Sequence, residues 1–427
     1  MCVQHEVTVN IKIFKQIASS QGHEHRPFSS GNTKGLNSSM YTPPAQQSDT
    51  KKAIITLFFG TVTIVSNIYI TQPILPLLSK DFNVSHATAS LSISLNILAL
   101  ALALLFYGPL SDRVGRKPVM VVTGFLLAVP TALISFTNDF MAFLLLRIFQ
   151  GLFAAGIAAI AMAYITEEFP PAIIGRVMGI YISSMITAGF FGRVAGGVMA
   201  GLLGWRATFI LFSMLNIAGA WSMHRYLPPS KKFTGNASFR ESYSGLIGHF
   251  RNRRLIGTCI IGFLLFFTFT GCFTYITFYL SDAPFNLSTT ALGLIFFVYV
   301  GGIASPFAGS LSTRYGRRTI MGAGLGISSA GILLTLVGSL PVIIGAMLLL
   351  CTGLFTTQPA SSAFVGDNTS SAKGSATSLY LLWYYMGGSA GAILPGLFWH
   401  AFGWAGVVGS CLIALAGAFM SLFVLCR

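Results

Sequence analysis

Apolar residues in this chain fall in long, nearly unbroken runs, without the alternation or one-sided stripe of a water-soluble domain. About 20 mostly apolar residues make one helical membrane crossing. Counted on that basis, twelve spanning helices are predicted, at 53–78, 88–109, 118–136, 139–164, 173–201, 205–227, 255–280, 289–309, 317–338, 341–364, 374–398 and 404–426. Residues 1–52 differ in texture. They are rich in Ser, Gln, Asn and His, lack the apolar segment of a signal peptide, and read as a disordered cytoplasmic tail. The one long interruption, 228–254, carries Lys231, Lys232, Arg240, Arg251, Arg253 and Arg254 and reads as a basic cytoplasmic linker.

Composition narrows the class. Charged residues make up 9% of the 427 positions and AVILMFWYC 54%, against about 25% charged in soluble domains. A soluble enzyme of this size could not cover its surface with so few charges, and collagen, coiled-coil and disordered chains are excluded too. The net charge of +15 would suit a nucleic-acid partner, but its placement argues against one, because the cations sit between apolar runs. With the N-terminus inside, one side receives Arg113, Arg116, Lys117, Arg176, the linker cations, Arg314, Arg317, Arg318 and Lys373. The other receives Lys80 and Arg206. The positive-inside bias then puts both termini in the cytoplasm. Six cysteines without CxxC spacing indicate apolar packing and neither a disulfide framework nor a metal site. No cofactor is expected.

The chain repeats itself. GPLSDRVGRKPVM (108–120) recurs as GSLSTRYGRRTIM (309–321), an offset of 201. At an offset of 199, Gly175, Tyr181, Gly189, Gly192, Gly197 and Gly204-Trp205 fall on Gly374, Tyr380, Gly388, Gly391, Gly396 and Gly403-Trp404. Two six-helix halves are expected, 53–227 and 255–427, joined by the linker.

Three places carry candidate chemistry. In the first, Gly108 and Gly115 permit a tight turn and close backbone approach. Arg113, Arg116 and Lys117 anchor that turn at the headgroups, and Asp112 can pair with those cations or cap a neighbouring helix. Arg314, Gly316 and Arg317 repeat it. The second is Arg147, with Gln150 and Gly151, which lies about 12 Å past Asp139 along a helix, near mid-bilayer. An arginine there costs roughly 2.5–3.5 kcal/mol and faces the bundle interior. Two uses compete for it, a transport role or bonding to carbonyls of helix 1. The third is Arg193, among Gly192, Gly196 and Gly197, again buried. The eleven acids all lie in the tail, in loops or at helix ends, so no carboxylate offers itself as a mid-membrane proton carrier. Two buried cations without an acid at their depth lead us to expect a preference for anionic or neutral polar solutes.

The GxLxDRxGR[KR] loop between helices 2 and 3, echoed between 8 and 9, resembles the hallmark of the major facilitator superfamily. QPILPLLSKDF (72–82), SLSIS (90–94), SLYLLWYYMGGSAG (378–391) and FWHAFGW (398–404) are similar to its YnfM-type branch, grouped with acriflavine sensitivity. The resemblance implies an all-α membrane protein of twelve helices in two pseudosymmetric halves. It makes Asp112 a latch of the outward-facing state, absent from the second copy, where Thr313 replaces the acid. Arg147-x-x-x-Gly151 matches the helix-4 motif tied to proton coupling. The helix-5 GPxxGG motif of antiporters is matched except that Arg193 replaces the proline. Superfamily geometry nominates Asn67, Gln72, Arg147, Tyr275 and Gln358 for a substrate cavity, with Trp383, Tyr384 and Tyr385 on helix 11.

The expected protein is a secondary transporter working by alternating access. By resemblance it exports a small solute, with protons as coupling ion, as a monomer in a bacterial cell membrane (the inner one in a Gram-negative cell). An importer of a small organic acid is the rival. A polytopic membrane enzyme would need a catalytic cluster, and no Ser/His/Asp or metal-ligand constellation appears.

Overall fold

The structure is a computed structural model, and it describes residues 44–230, 252–369 and 373–426. The tail reading and most of the linker reading fall outside these residues. The bundle from Asp49 onward forms one compact unit, entirely helical among the described residues.

The first crossing is broken in two. Helix α1 (Pro44–Val65) passes into a 3-10 turn at Ser66–Ile68 and further turns before α2 (Leu75–Asp81). Three-residue closures hold this stretch, with the amides of Tyr69, Gln72 and Ile74 bonding the carbonyls of Ser66, Tyr69 and Thr71. A continuous helix over 53–78 had been expected. Pro73 and Pro76 remove two amide donors, which a helix interior does not tolerate without rearrangement, and the freed carbonyls find other donors.

Next come α3 (His86–Val114), α4 (Arg116–Ile134), α5 (Phe140–Glu168), α6 (Pro171–Leu203) and α7 (Trp205–Tyr226). Side-chain caps start α3 and α5, where Ser85 and Asp139 accept from the amides of Thr88 and Ala142. The second half runs through α8 (Arg253–Ser281), α9 (Thr289–Ile295), a 3-10 segment (Phe296–Ile303), α10 (Ala304–Tyr315), α11 (Arg317–Leu334) and α12 (Leu340–Asp367). It closes with α13 (Lys373–Val424), a 52-residue run interrupted by non-helical backbone at Gly403. The eighth crossing, expected as one helix over 289–309, is therefore α9, the 3-10 segment and α10 together.

Among the described residues nine helices are long and apolar enough to cross a membrane, counting the run interrupted at Gly403 as one. The other three crossings are α7, which carries Arg206, Asn216, His224 and Arg225, the broken eighth, and the last, fused to its predecessor. The repeat is visible in the backbone. Gly115 and Gly316 both turn at positive φ (101° and 86°), as do Gly204 and Gly403 (84° and 58°), a conformation open to glycine and strained for other residues. The expected close approach at Gly108 is not made, since a methyl there would meet nothing.

The halves face each other chiefly through α3 against α13 and α6 against α9. A group of polar and ring contacts joins them toward the end away from the 108–117 loop. Ser94 Oγ bonds Ser389 Oγ at 2.8 Å, Ser90 Oγ lies 3.2 Å from the Tyr275 hydroxyl, and Gln72 Nε2 donates to Thr274 at 3.1 Å. His86 stacks on Phe278 at 4.2 Å. The backbones of Gly197 and Gly293 touch.

Candidate functional site

Arg147 is fully buried, and the break in the first crossing explains how. Its Nη1 donates to the Asn67 carbonyl (2.8 Å), Nη2 to the Ile68 carbonyl (3.0 Å) and Nε to the Ser92 carbonyl of α3 (2.9 Å). Nη1 also reaches Gln150 Oε1 at 2.6 Å, and Nη2 reaches Thr71 Oγ1 at 3.2 Å. The guanidinium is thus the surrogate partner for carbonyls that the 3-10 turn leaves unsatisfied. Gln150 passes the network on by donating to Thr131 (2.8 Å). Asn67 and Asn216 bond each other at 2.7 Å, and Thr131 donates to Asn67 Oδ1 at 3.3 Å. Asn96 fixes α3 to the Arg147 carbonyl at 2.8 Å. The 3-10 turn, α3, α4, α5 and α7 are tied together, and every bond named in this network stays within one half.

Arg147 and Asn67, nominated for the cavity, make their hydrogen bonds inside the first half. Arg147 takes the carbonyl-bonding one of its two readings. Gly151 has a packing reason, because a methyl there would overlap the Asn96 carbonyl. Gly151→Ala is accordingly expected to cost about 1–3 kcal/mol by overpacking, read as a lower thermal midpoint of the detergent-purified protein. An unchanged midpoint would contradict the close α3–α5 approach.

Arg193 has the opposite setting. It is 2% exposed and lies where the halves meet. Its Nε donates to Gln72 Oε1 at 2.6 Å and Nη1 to the Gly189 carbonyl at 2.7 Å. The guanidinium carbon stands 3.9 Å from the Tyr69 ring centre, and the rings of Tyr299, Phe296 and Phe269, all from the other half, lie at 4.9, 5.5 and 5.6 Å. Gln72 therefore bridges Arg193 to Thr274 of α8. Gly192 and Gly196 press α6 onto the broken first crossing at Ser66 and Ile70, and Gly197 presses it onto Gly293. Sequence reasoning missed Tyr69, Phe269, Phe296 and Tyr299, since aromatic residues are common in every apolar run.

The loop motif is built twice. Arg116 forks onto Glu167 at 2.8 and 3.1 Å, donates to Ser111 at 2.5 Å and pairs with Asp112 at 2.5 Å. Lys117 Nζ donates to the Leu227 carbonyl at 2.6 Å, at the open end of α7. In the second copy Arg317 pairs with Asp367 and donates to Ser312 at 3.3 Å, while Thr313 bonds only the Gly309 carbonyl of its own helix, at 3.1 Å. Glu167 and Asp367 are partners the sequence reading passed over as acids at helix ends, although an offset of 200 relates them. Asp112 here serves its own half.

The remaining candidates scatter. The Tyr275 hydroxyl donates to the Ala392 carbonyl at 3.1 Å and helps pin α8 to α13 and α3. Tyr384 stacks on Phe266 at 4.3 Å, and Trp383 meets Phe263 edge-on at 6.3 Å. Gln358 is half-buried on α12. Among the described residues no cluster of His, Cys, Asp and Glu suits a metal ion.

A repeat of two six-helix halves, joined at one end and each carrying the Ser–Arg–acid loop cluster, defines a membrane transporter with two related halves. The Major Facilitator Superfamily model matches residues 57–302 and 283–427, and the chain belongs to that family. It is 36% identical over 375 residues to the inner membrane transport protein YnfM of Escherichia coli K12, covering 87% of this chain and 88% of that one. It is 33% identical over 380 residues to an uncharacterized transporter of Buchnera aphidicola from Schizaphis graminum (88% and 92% covered). Among solved structures, a bacterial homolog to the human lysosomal transporter Spinster, in an inward-facing and unoccupied conformation, superposes with a TM-score of 0.74 at 16% identity. That match covers 88% of this chain and 98% of that one.

Proposed function

We propose that this protein exports a small solute across a bacterial cell membrane by alternating access, with both termini cytoplasmic, as a monomer. The observation that carries this reading is the junction of the two halves away from the loop motif. Contacts at 72–94, 193–201, 274–293 and 389–399 close that end. Under the sequence-derived topology this is an inward-facing state, and rocking the halves about the interface exposes the other side.

In that cycle Asp112 is the part that changes partner. It pairs with Arg116 here, and on closure of the loop end it is free to meet the start of α13 across the interface. Asp112→Asn is expected to lower transport several-fold with normal membrane insertion, and Thr313→Ala to change it little. Equal transport by Asp112→Asn and wild type would remove the latch from the mechanism.

The deciding experiment is counterflow in proteoliposomes over a chemically varied panel, with and without an imposed pH gradient. Export predicts faster movement from the face bearing the loop motif, and proton coupling predicts acceleration by the gradient. Uptake favoured from the opposite face would select the importer reading instead. Transport by no member of the panel, together with a static distance between the halves, would refute the proposal.

A further inference from the structure

Arg193 stands at the junction without an anion to match it. Among the described residues no carboxylate forms an ion pair with it, and its direct acceptors are one amide oxygen and one carbonyl. Beside it stands Tyr299, 7% exposed, whose ring is part of the aromatic cage and whose hydroxyl makes no hydrogen bond to the described residues. A buried hydroxyl without a partner is rare in folded proteins. Both groups can donate, and a negatively charged oxygen answers both with the strongest bonds while matching the guanidinium charge.

The surroundings describe the rest of such a ligand. Phe269 and Phe273 lie 5.0 Å apart, Phe269 meets Tyr299 at 5.5 Å and Phe355 at 5.9 Å, and Phe266 continues the row toward Tyr384. These rings offer faces and edges to a flat apolar body. We propose that Arg193 and Tyr299 form the anion-binding end of the solute site, taking a carboxylate-sized oxyanion whose planar apolar body stacks among Tyr69, Phe269 and Phe296.

This rests on the transport reading above and names its substrate class. Without solute, the rings and Gln72 hold the guanidinium. When the halves shift, the anion takes the place of the ring faces from the second half. Arg147 takes no part, being satisfied inside its own half, so the positive field expected from two cations reduces to one.

The test uses the purified full-length protein in nanodiscs of uncharged lipid, titrated with 3-phenylpropionate, its amide and 3-phenylpropylammonium, with intrinsic fluorescence as readout. The carboxylate is expected to bind at least tenfold more tightly than either analogue. That preference should vanish in Arg193→Gln, persist in part in Arg193→Lys and fall three- to tenfold in Tyr299→Phe, which keeps the ring. If Arg193→Gln does not fold, the lysine and Tyr299→Phe variants decide the matter. Equal binding of the three probes, no binding at millimolar concentration, or a preference untouched by these substitutions would overturn the proposal. Spin labels on Val114 and Tyr315, and on Lys80 and Asn286, report movement of the two ends without any solute, so a failure of alternating access is seen separately.

Discussion

Replacing Arg147 by Gln is expected to cost the protein its stable fold before it costs any selectivity. Two backbone carbonyls, of Asn67 and Ile68, lose their donor together, and the helical Ser92 carbonyl loses a second one, in a region from which lipid and protein exclude water. A buried acceptor left unpaired costs about 1–3 kcal/mol, so the sum is about 2 kcal/mol or more. Arg147→Lys is expected to recover only part, because an ammonium lacks the forked geometry that reaches three carbonyls at once. The measurement is thermal unfolding of purified protein, followed by tryptophan fluorescence and by the fraction surviving size exclusion. A Gln variant as stable as wild type, altered only in which solutes it carries, would return Arg147 to the cavity.

Gly197→Val is expected to leave a folded protein that no longer closes its sealed end. Any side chain at Gly197 overlaps the Gly293 backbone across the junction, and backbone has no alternative rotamer to adopt. Within its own half a Cβ there meets Pro73 at 3.1 Å, a milder contact, so the larger part of the steric penalty falls on the state in which Gly293 is near. Labels on Lys80 and Asn286 should move apart, those on Val114 and Tyr315 should come together, and counterflow should drop at least tenfold. An unmoved Lys80–Asn286 distance would show that the junction yields elsewhere. Gly201→Val, opposite the Thr290 hydroxyl and amide nitrogen, tests the same contact one turn further along, and a shift in the same direction is expected.

The bundle itself was readable from the apolar runs, because membrane crossings are selected by length and hydropathy, and both are properties of contiguous residues. The repeat was readable too, and it anticipated the paired positive-φ glycines. The break at Ser66–Ile74 was not. Hydropathy averages across it, and Asn67, Thr71 and Gln72 look like polar residues on a helix until their carbonyl partners are known. Arg147 showed the limit most clearly. Sequence displays the donor, while the acceptors are backbone atoms that every residue has. For Arg193 the burial was legible, but the cage combines Tyr69 with Phe269, Phe296 and Tyr299 of the other half, and only the packed halves bring them together. Glu167 was within reach, since the repeat that pairs Arg116 with Arg317 also pairs it with Asp367.

The two halves are copies in outline and opposites in texture. At the position related by the same offset that links Glu167 to Asp367, the second half has Met347 in place of Arg147. Cys272 Sγ contacts Met347 Sδ at 3.5 Å, much as Thr71 meets Arg147 in the first. Where one half is knitted by directional bonds, its sibling is filled with polarizable sulfur and rings, in a core that includes Cys351 and Cys411 and beside a crossing that contains eight residues of 3-10 helix. Directional networks hold one arrangement, and sulfur-lined cores accommodate several. We infer that the first half is the stiffer frame and the second the more compliant part. Hydrogen exchange should accordingly be slow along α5 and several times faster along the eighth crossing. Substitutions that reshape the solute path should be tolerated around Met347 and Cys351 and rejected around Arg147.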